Sequence, residues 1–184
     1  MDLVLIRRCQ AGDDEAFRLL FEQYKDLVYR TTYLTLGSAA DADDILQEVF
    51  LQVHRSLSGY DPKKGAFSTW LYRLTVNRCL NWRRSRPRTE SLEALEEERP
   101  GSAGLLDERP FEDEAVRSAL AKLSRKLRVV VVLRHYWDLS YAEIAEITDL
   151  PLGTVKSRLN LALRLMRDDL EPEFMCQARS VTEA

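Results

Sequence analysis

The sequence contains few of the residues that interrupt regular structure. Its 184 residues include only seven glycines and six prolines, which argues against an architecture with many tight turns and favours long helices. Apolar residues make up 45% of the chain and charged residues 31%, a balance typical of a folded, helix-rich protein. We therefore expect an all-α fold.

Residues that carry catalytic or metal chemistry are also scarce. The three cysteines, Cys9, Cys79 and Cys176, lie far apart, and no two have the spacing of a zinc knuckle or a redox dithiol. The two histidines, His54 and His135, are each isolated in a helical, largely apolar stretch. No nucleophile–base pair and no phosphate-binding glycine loop is evident. The sequence thus predicts neither an enzyme nor a protein with a metal ion or other cofactor.

A long apolar run and a secretory signal are both missing. No segment approaches the roughly 18 apolar residues that a membrane-spanning helix needs. Residues 1–17 include an apolar patch, but no basic segment precedes it and no small-residue cleavage site follows it. We therefore expect a cytoplasmic protein.

The net charge of −3 at first argues against binding to DNA, because a duplex is bound by cations that contact its phosphates. The acidic residues, however, are concentrated in two segments. Residues 87–112 and the tail 171–184 are acidic, whereas residues 1–86 and 113–170 each have a small excess of basic residues. The charge pattern therefore predicts two slightly basic modules on either side of an acidic segment.

We expect these modules to be two small helical domains, residues 1–87 and 112–170. The flexible acidic linker between them, residues 88–111, has prolines, glycines and a glutamate cluster but lacks the apolar stripe that would pack a helix. Residues 171–184 form a polar C-terminal tail.

The first module is predicted to contain an amphipathic helix that starts near Gly12 or Asp13 and ends before Gly37, and a second helix that begins around Ala40. The second helix has an apolar stripe and, on its other side, an acidic face. That face is either simply solvated or a docking surface for a basic partner helix. Its residues are Asp44, Gln47, Glu48 and Leu51.

A turn-rich loop, residues 58–66, leads to a helix for which Ser68 is the predicted N-cap. The stretch from Phe67 to Arg88 contains six arginines and no acidic residue. Arginines interleaved with aromatic residues are typical of surfaces that contact a nucleic-acid backbone and stack on unpaired bases. Trp70 and Trp82 are alternatively core residues.

The second module is predicted to end in a helix–turn–helix. Ser140 and Glu143 have the S-x-x-E spacing of a capping box, and Pro151 suits the first turn of the last helix. We also expect the run of four valines, residues 129–132, to be a buried helix rather than a strand. In the last helix the small and hydrogen-bonding residues, with a cation, lie opposite the apolar stripe, as a helix that enters the major groove requires. These residues are Gly153, Lys156, Ser157, Asn160 and Arg164.

These stretches resemble the sigma-70 family of bacterial transcription initiation factors, and within it the extracytoplasmic-function (ECF) group. DADDILQEVFLQVHRSL and FSTWLYRLTVNRCLNWRR look like sigma region 2, and LSYAEIAEITDLPLGTVKSRL looks like region 4. The resemblance implies binding to core RNA polymerase, through the β′ clamp helices and the β flap, and to promoter DNA. It also implies an anti-sigma factor as a partner, which could tether the protein to the membrane. A stand-alone helix–turn–helix regulator that binds its operator as a dimer is the alternative.

The family's functions can be placed on individual positions. Polymerase binding falls on the acidic face Asp44, Gln47, Glu48 and Leu51. Recognition of the −10 element, with capture of an unstacked base, falls on Ser58, Tyr60, Lys63, Lys64, Arg73, Asn77, Arg78, Asn81 and Arg84. Recognition of the −35 element falls on Arg134, Tyr141, Thr154, Lys156, Ser157, Asn160 and Arg164. Leu161 and Leu163 stand where many relatives carry arginine, so phosphate contact from that side is expected to be weaker.

Overall fold

The computed structural model describes the backbone of residues 2–82 and 114–182, and side chains within residues 3–82 and 115–170. The predicted acidic linker, residues 88–111, and the predicted DNA-binding residue Arg84 lie outside the described residues. Throughout the described ranges every regular element is helical, which confirms the all-α prediction. No helix in these ranges is both long enough and apolar enough to cross a membrane.

The first unit contains four α-helices and a loop that is built from two short 3₁₀ turns. Asp13 caps the second helix by accepting a hydrogen bond from the backbone N–H of Ala16, and Gly37 ends it in the left-handed region at φ 76°. Both ends match the sequence prediction. The helices are α1 Asp2–Gln10, α2 Asp14–Leu36, α3 Ala39–Ser56 and α4 Phe67–Asn81, and the 3₁₀ turns are Leu57–Gly59 and Pro62–Lys64.

The structure adds one helix to this unit and corrects one expectation. α1 was not predicted as a helix, yet it packs on α2 and inserts Ile6 into the core with 2% of its surface exposed. Ser68 is not an N-cap, because α4 already begins at Phe67 and its cap residue is Ala66, which makes no side-chain hydrogen bond. The buried ring of Phe67 instead anchors the start of the helix in the core.

The second unit contains four α-helices, α5 Glu114–Ala121, α6 Arg125–Val131, α7 Tyr141–Thr148 and α8 Leu152–Thr182. A π-helical turn, Val132–Tyr136, extends α6. The valine run is helical and buried, as predicted, because it forms the centre of this unit's core. The backbone of α8 continues through most of the predicted tail.

The helix–turn–helix is formed by α7 and α8. The predicted capping box is present: the Ser140 hydroxyl accepts from the Glu143 N–H at 3.2 Å, and the Glu143 carboxylate accepts from the Ser140 N–H at 2.8 Å. α7 ends at Asp149, which adopts a left-handed conformation at φ 54°. The predicted stripe of α8 packs inward, with Val155, Leu159 and Ala162 buried.

The two units pack directly against each other. One continuous apolar cluster contains Leu34, Tyr72 and Val76 from the first unit together with the core of the second. At its edge the indole N–H of Trp137 donates to the hydroxyl of Thr31, on α2, at 2.9 Å. The sequence did not predict how the units lie relative to each other.

Candidate functional site

The predicted polymerase-binding residues form one exposed face of α3. Ile45, Val49 and Val53 face the core, so the helical period turns the acidic positions outward. Asp44 and Gln47 are exposed, and Leu51 has 56% of its surface exposed although it is apolar. An apolar side chain surrounded by acidic and amide groups is typical of a surface that binds a partner.

Glu48 lies at the boundary between this face and the basic helix α4. Its carboxylate forms a charge-assisted hydrogen bond with the guanidinium of Arg78, and both side chains are less than half exposed. The Arg78 guanidinium also lies 5.9 Å from the centre of the Trp82 ring. A predicted polymerase residue and a predicted DNA residue are thus in direct contact.

The loop before α4 has an aromatic platform. The ring centre of Tyr60 lies 5.5 Å from that of Phe67 and 5.6 Å from that of Trp70. The Tyr60 hydroxyl donates to the carbonyl oxygen of Gly65 at 2.9 Å, which closes the loop on itself. The Asp61 carboxylate accepts from the Lys63 N–H and holds the second 3₁₀ turn.

Tyr60 and Trp70 of this platform line a cavity, which we call the loop pocket. Lys64 and Arg73 supply cations beside the rings of Tyr60 and Trp70, and Glu146 of α7 lines the pocket from the second unit. An aromatic wall with cations beside it suits an unstacked base and its phosphate. Trp70, which is half-buried, is therefore not only a core residue, and the sequence did not assign it to this site.

The other predicted −10 residues are placed around the pocket and along α4. Arg73, Asn77 and Asn81 recur every four residues and are all exposed on one side of the helix. Ser58 and Lys63 are exposed in the loop. The structure therefore brings Tyr60, Lys64 and Arg73 together at the pocket, whereas Arg78 is turned toward Glu48 of α3.

The predicted −35 residues gather around the start of α7 and of α8. Two cations contact the Tyr141 ring, with Arg134 at 5.3 Å and Lys156 at 5.9 Å from its centre. Arg134 also donates to the carbonyl of Leu139 at 3.0 Å and lies 3.6 Å from the carboxylate of Asp138. Arg134 is therefore held in place by its neighbours, whereas Lys156 is exposed to solvent.

Along α8, the predicted DNA residues differ in solvent exposure and in whether their side chains already form hydrogen bonds within the helix. Asn160 and Arg164 are exposed, and Thr154 is half-buried. The exposed Ser157 hydroxyl donates to the carbonyl of Thr154 at 3.0 Å, so its own proton is already engaged within the helix. Leu161, at the position where relatives often have arginine, is 38% exposed.

Three arginines that cross between the units were not singled out for this role from the sequence. Arg73 donates to the Glu146 carbonyl at 2.6 Å, Arg125 to the Trp82 carbonyl at 2.5 Å, and Arg128 to the Thr35 carbonyl at 2.9 Å. The only sequence signal for these contacts would have been arginines that can reach the carbonyl groups at predicted helix ends. Within the described residues no group of side chains is arranged to hold a metal ion.

Comparison with known proteins shows which family the chain is similar to. The family model for sigma-70 region 2 matches residues 20–89, and the model for sigma-70 region 4 matches residues 113–166. The ECF RNA polymerase sigma-E factor of Escherichia coli strain K12 is 34% identical over 183 residues, covering 93% of this chain and 95% of that protein. The ECF sigma factor SigW of Bacillus subtilis strain 168 is 32% identical, covering 90% and 94%.

Two solved structures share the fold. CnrH, solved in complex with the cytosolic domain of CnrY, superposes with a TM-score of 0.64 at 22% identity, covering 92% of this chain and 96% of that one. The sigma factor RpoE of Bartonella quintana, solved in complex with the anti-sigma factor NepR, gives 0.63 at 20% identity, covering 84% and 96%.

The chain belongs to the sigma-70 family, in its ECF group. It is therefore a transcription initiation factor that acts with RNA polymerase on promoter DNA. The reading as a stand-alone operator-binding dimer is not favoured, because region 2 and region 4 are both matched and in the family's order.

Proposed function

We propose that the exposed face of α3 binds the β′ clamp helices of core RNA polymerase. Leu51 would pack on the partner helix while Asp44 and Glu48 attract its basic side chains and Gln47 supplies a hydrogen bond. The observation that carries this assignment is the exposure of Leu51, an apolar side chain with 56% of its surface exposed beside acidic and amide residues. Electrostatic complementarity of this kind raises the association rate and rejects wrong partners.

The −10 element is read, in this proposal, by the loop pocket and the exposed side of α4. Unstacking a base costs a few kcal/mol. Stacking on Tyr60 or Trp70 is worth about 1–3 kcal/mol per base, and cationic contacts from Lys64, Arg73 and Arg78 add to it. Binding energy alone can therefore support strand opening, with no chemical step by the protein. Ser58, Lys63, Asn77, Asn81 and Arg84 complete the proposed surface.

The −35 element is read as duplex by the start of α8. Lys156 and Asn160 point into solvent where a major groove would lie, and hydrogen bonds from such side chains distinguish base edges. Arg134 and Arg164 are assigned to phosphates, as is the charge of Lys156 in addition to its reading of base edges. Tyr141, Thr154 and Ser157 support the surface around them. The second domain also contacts the β flap of the polymerase.

The domain boundaries belong to the same proposal: residues 1–87 bind polymerase and the −10 element, and residues 112–170 bind the −35 element. Residues 88–111 link the two, and residues 171–184 are the tail. An anti-sigma factor controls the protein and can tether it to the membrane. The complex of the Bartonella quintana sigma factor with NepR supports this partner class.

Reconstitution with purified core RNA polymerase tests the proposal. The intact chain should form a stable holoenzyme that starts transcription at a small, discrete set of sites on genomic DNA, whereas core enzyme alone should not. Absence of a stable complex with core would overturn the assignment. Purification of the tagged protein from its native cell tests the anti-sigma factor separately, since recovery of polymerase alone under every condition contradicts that partner.

A further inference from the structure

Tyr60, on the wall of the loop pocket, follows a very short turn. The 3₁₀ turn Leu57–Gly59 continues directly from α3, and the Tyr60 N–H donates to the Leu57 carbonyl at 3.1 Å. A single turn of this type has poorer hydrogen-bond geometry than an α-helix. After the turn the backbone becomes extended, with Tyr60 at φ −70° and ψ 127°. The turn alone therefore leaves the direction of the chain at Tyr60 to other contacts.

Gln10, the last residue of α1, contacts both ends of this turn. Its side-chain amide nitrogen donates to the Leu57 carbonyl at 2.9 Å and to the Tyr60 carbonyl at 3.0 Å. Both partners can only accept a hydrogen bond, so the amide must present its NH₂ group, which has two donors. The Leu57 oxygen accepts from the Tyr60 N–H as well, as its two lone pairs allow. One amide group therefore joins the two ends of the turn.

The bond to the Tyr60 carbonyl restricts the backbone on both sides of that carbonyl. Because the peptide group is planar, a held carbonyl limits the ψ angle of Tyr60 and the φ angle of Asp61. The N–H and the carbonyl of Tyr60 are both hydrogen-bonded. Leu57, which provides the other acceptor, is buried in the core of the first unit. Gln10 thus fixes Tyr60 relative to a rigid part of the molecule.

Apolar packing between α1 and the loop is incomplete. A second cavity is lined by Leu3 and Ile6 of α1 and by Tyr60 and Pro62 of the loop. Atoms that face a cavity lack dispersion contacts on that side, so packing against α1 holds the loop weakly. Hydrogen bonds, in contrast, depend on both distance and angle. The two bonds from Gln10 are therefore the contacts through which α1 sets the position of Tyr60.

We propose that Gln10 is a positioning residue of the −10 surface: by bonding the carbonyls at both ends of the first 3₁₀ turn, it holds Tyr60 at the wall of the loop pocket. This inference rests on the proposed function of that pocket. A ring that is already in place stacks on a base without the cost of being ordered during binding. α1 then contributes to base capture although none of its described side chains lines the loop pocket.

Two substitutions separate the hydrogen bonds from the size of the side chain. Gln10→Met retains an unbranched chain of similar length but removes both donors. Gln10→Lys retains donors, since an ammonium group has three. Gln52→Met, at an exposed position of α3, is the control for the substitution itself. Gln10 is also exposed, so all three variants should fold, which circular dichroism checks.

Hydrogen exchange of the free, full-length chain measures how firmly the turn is held. The net effect of one hydrogen bond corresponds to about a fivefold change in population. In Gln10→Met the amide of Tyr60, observed by NMR, should therefore exchange at least about fivefold faster than in wild type. Gln10→Lys and Gln52→Met should keep the wild-type rate. An unchanged rate in Gln10→Met, or an equal increase in Gln10→Lys, overturns the proposal.

DNA binding by the reconstituted holoenzyme tests the effect on base capture. The probe is a single-stranded oligonucleotide with the non-template strand of a mapped −10 element, and each base in turn is replaced by an abasic site. An abasic site keeps the phosphate, so the affinity ratio of intact to abasic DNA isolates the contribution of the base. At the most sensitive position Gln10→Met should lower this ratio about fivefold, in proportion to the loss of the held conformation. The affinity for the abasic DNA should not change.

The donor-retaining variant and the control should both keep the wild-type ratio. A wild-type ratio in Gln10→Met, despite faster exchange at Tyr60, would limit Gln10 to a structural role and overturn the proposal. Tyr60→Ala should lower the ratio at the same position, and a sensitive position that ignores this change would overturn Tyr60 as the residue that Gln10 positions. If the wild-type holoenzyme has no sensitive position, the proposed function of the loop pocket fails and this inference fails with it, whatever the exchange rates.

Discussion

The carboxylate of Glu48 on α3 is bound by the guanidinium of Arg78 on α4. This pair joins the proposed polymerase face to the proposed −10 surface. A substitution of either residue therefore disturbs both surfaces. Asp44 is exposed on the α3 face and is not a member of this pair, and so gives the cleaner test of polymerase docking.

We predict that Asp44→Lys lowers holoenzyme formation and transcription at least about tenfold, since a like charge placed against a basic partner costs several kcal/mol. The double variant Asp44→Lys/Glu48→Lys should abolish transcription. Titration of each variant against core polymerase, with circular dichroism to check the fold, gives the comparison. Asp26→Lys, exposed on α2, is the matched control and should behave as wild type. Normal transcription by the double variant would remove α3 from the docking assignment.

For the −35 surface, we predict that Lys156→Ala weakens binding and lowers the slope of log K against log salt by about one, because one phosphate neutralisation is lost. Duplex DNA that carries a mapped −35 element is the ligand, and fluorescence anisotropy over a salt series is the measurement. Lys126→Ala, exposed on α6 outside this surface, should leave the slope unchanged. An unaltered slope for Lys156→Ala would mean that this lysine does not contact phosphate.

Ser157 should contribute less than Asn160 to base-pair discrimination at the same surface. The Ser157 hydroxyl donates to the Thr154 carbonyl, whereas Asn160 is exposed and has an amide that can bind a base edge in two places. Asn160→Ala should lose about 1–3 kcal/mol of discrimination at one base pair, and Ser157→Ala distinctly less. Selection from a library of randomised −35 duplexes, read by sequencing, compares the two. Equal losses at one position would contradict this ranking.

The helix ends were predictable where a local sequence signal determines them. Asp13, Gly37 and the Ser140–Glu143 box each act on a backbone group within a few residues. The prediction of Ser68 as the N-cap was wrong because the burial of Phe67 starts α4 two residues earlier, with Ala66 as the cap. α1 lacked a comparable signal, since its nine residues depend on packing against α2.

The interface between the units was not predictable for a different reason. Arg128 looks like an ordinary polar residue of an amphipathic helix, but its acceptor Thr35 is 93 positions away. Thr31 and Thr35 also look polar, yet both are buried because their hydroxyls donate to the carbonyls four residues earlier. Their aliphatic surface can then pack like that of valine. The exposure of Asp44 and Gln47 on α3, and of Lys156 and Asn160 on α8, was in contrast predictable because it follows from helical spacing.

The capping box of α7 should contribute to stability in a pH-dependent way. Hydrogen bonds from the Ser140 side chain and backbone hold the pKa of Glu143 below its ordinary value. A lowered pKa in the folded state means that the stabilisation is present above the ordinary pKa of glutamate and is lost as pH falls through the folded value. Ser140→Ala should cost about 1 kcal/mol of unfolding free energy at pH 7.

Urea unfolding of wild type and Glu143→Gln at pH 7 and at pH 3 measures this linkage. The difference in unfolding free energy between them should be present at pH 7 and smaller at pH 3, where the carboxyl group of the unfolded chain is protonated. Glu15→Gln, in an exposed ion pair with Arg18, is a comparison without a capping role. A Glu143→Gln difference that does not vary with pH would show that its charge is irrelevant to the cap.

The thiol of Cys79 should be inert while the protein is folded. It is fully buried and donates to the Thr32 hydroxyl at 3.7 Å, and burial raises its pKa to about 12. Since the thiolate is the reactive form, iodoacetamide at pH 8 should leave Cys79 unmodified for as long as the fold persists. Cys9 is only half-buried. Burial raises its pKa too, but reagent can reach its thiol, so Cys9 should react before Cys79. Peptide mass spectrometry of the intact protein, with and without denaturing urea, gives the rate at each site. Modification of Cys79 at the rate of Cys9 in the absence of urea would mean that the core between α2 and α4 opens readily.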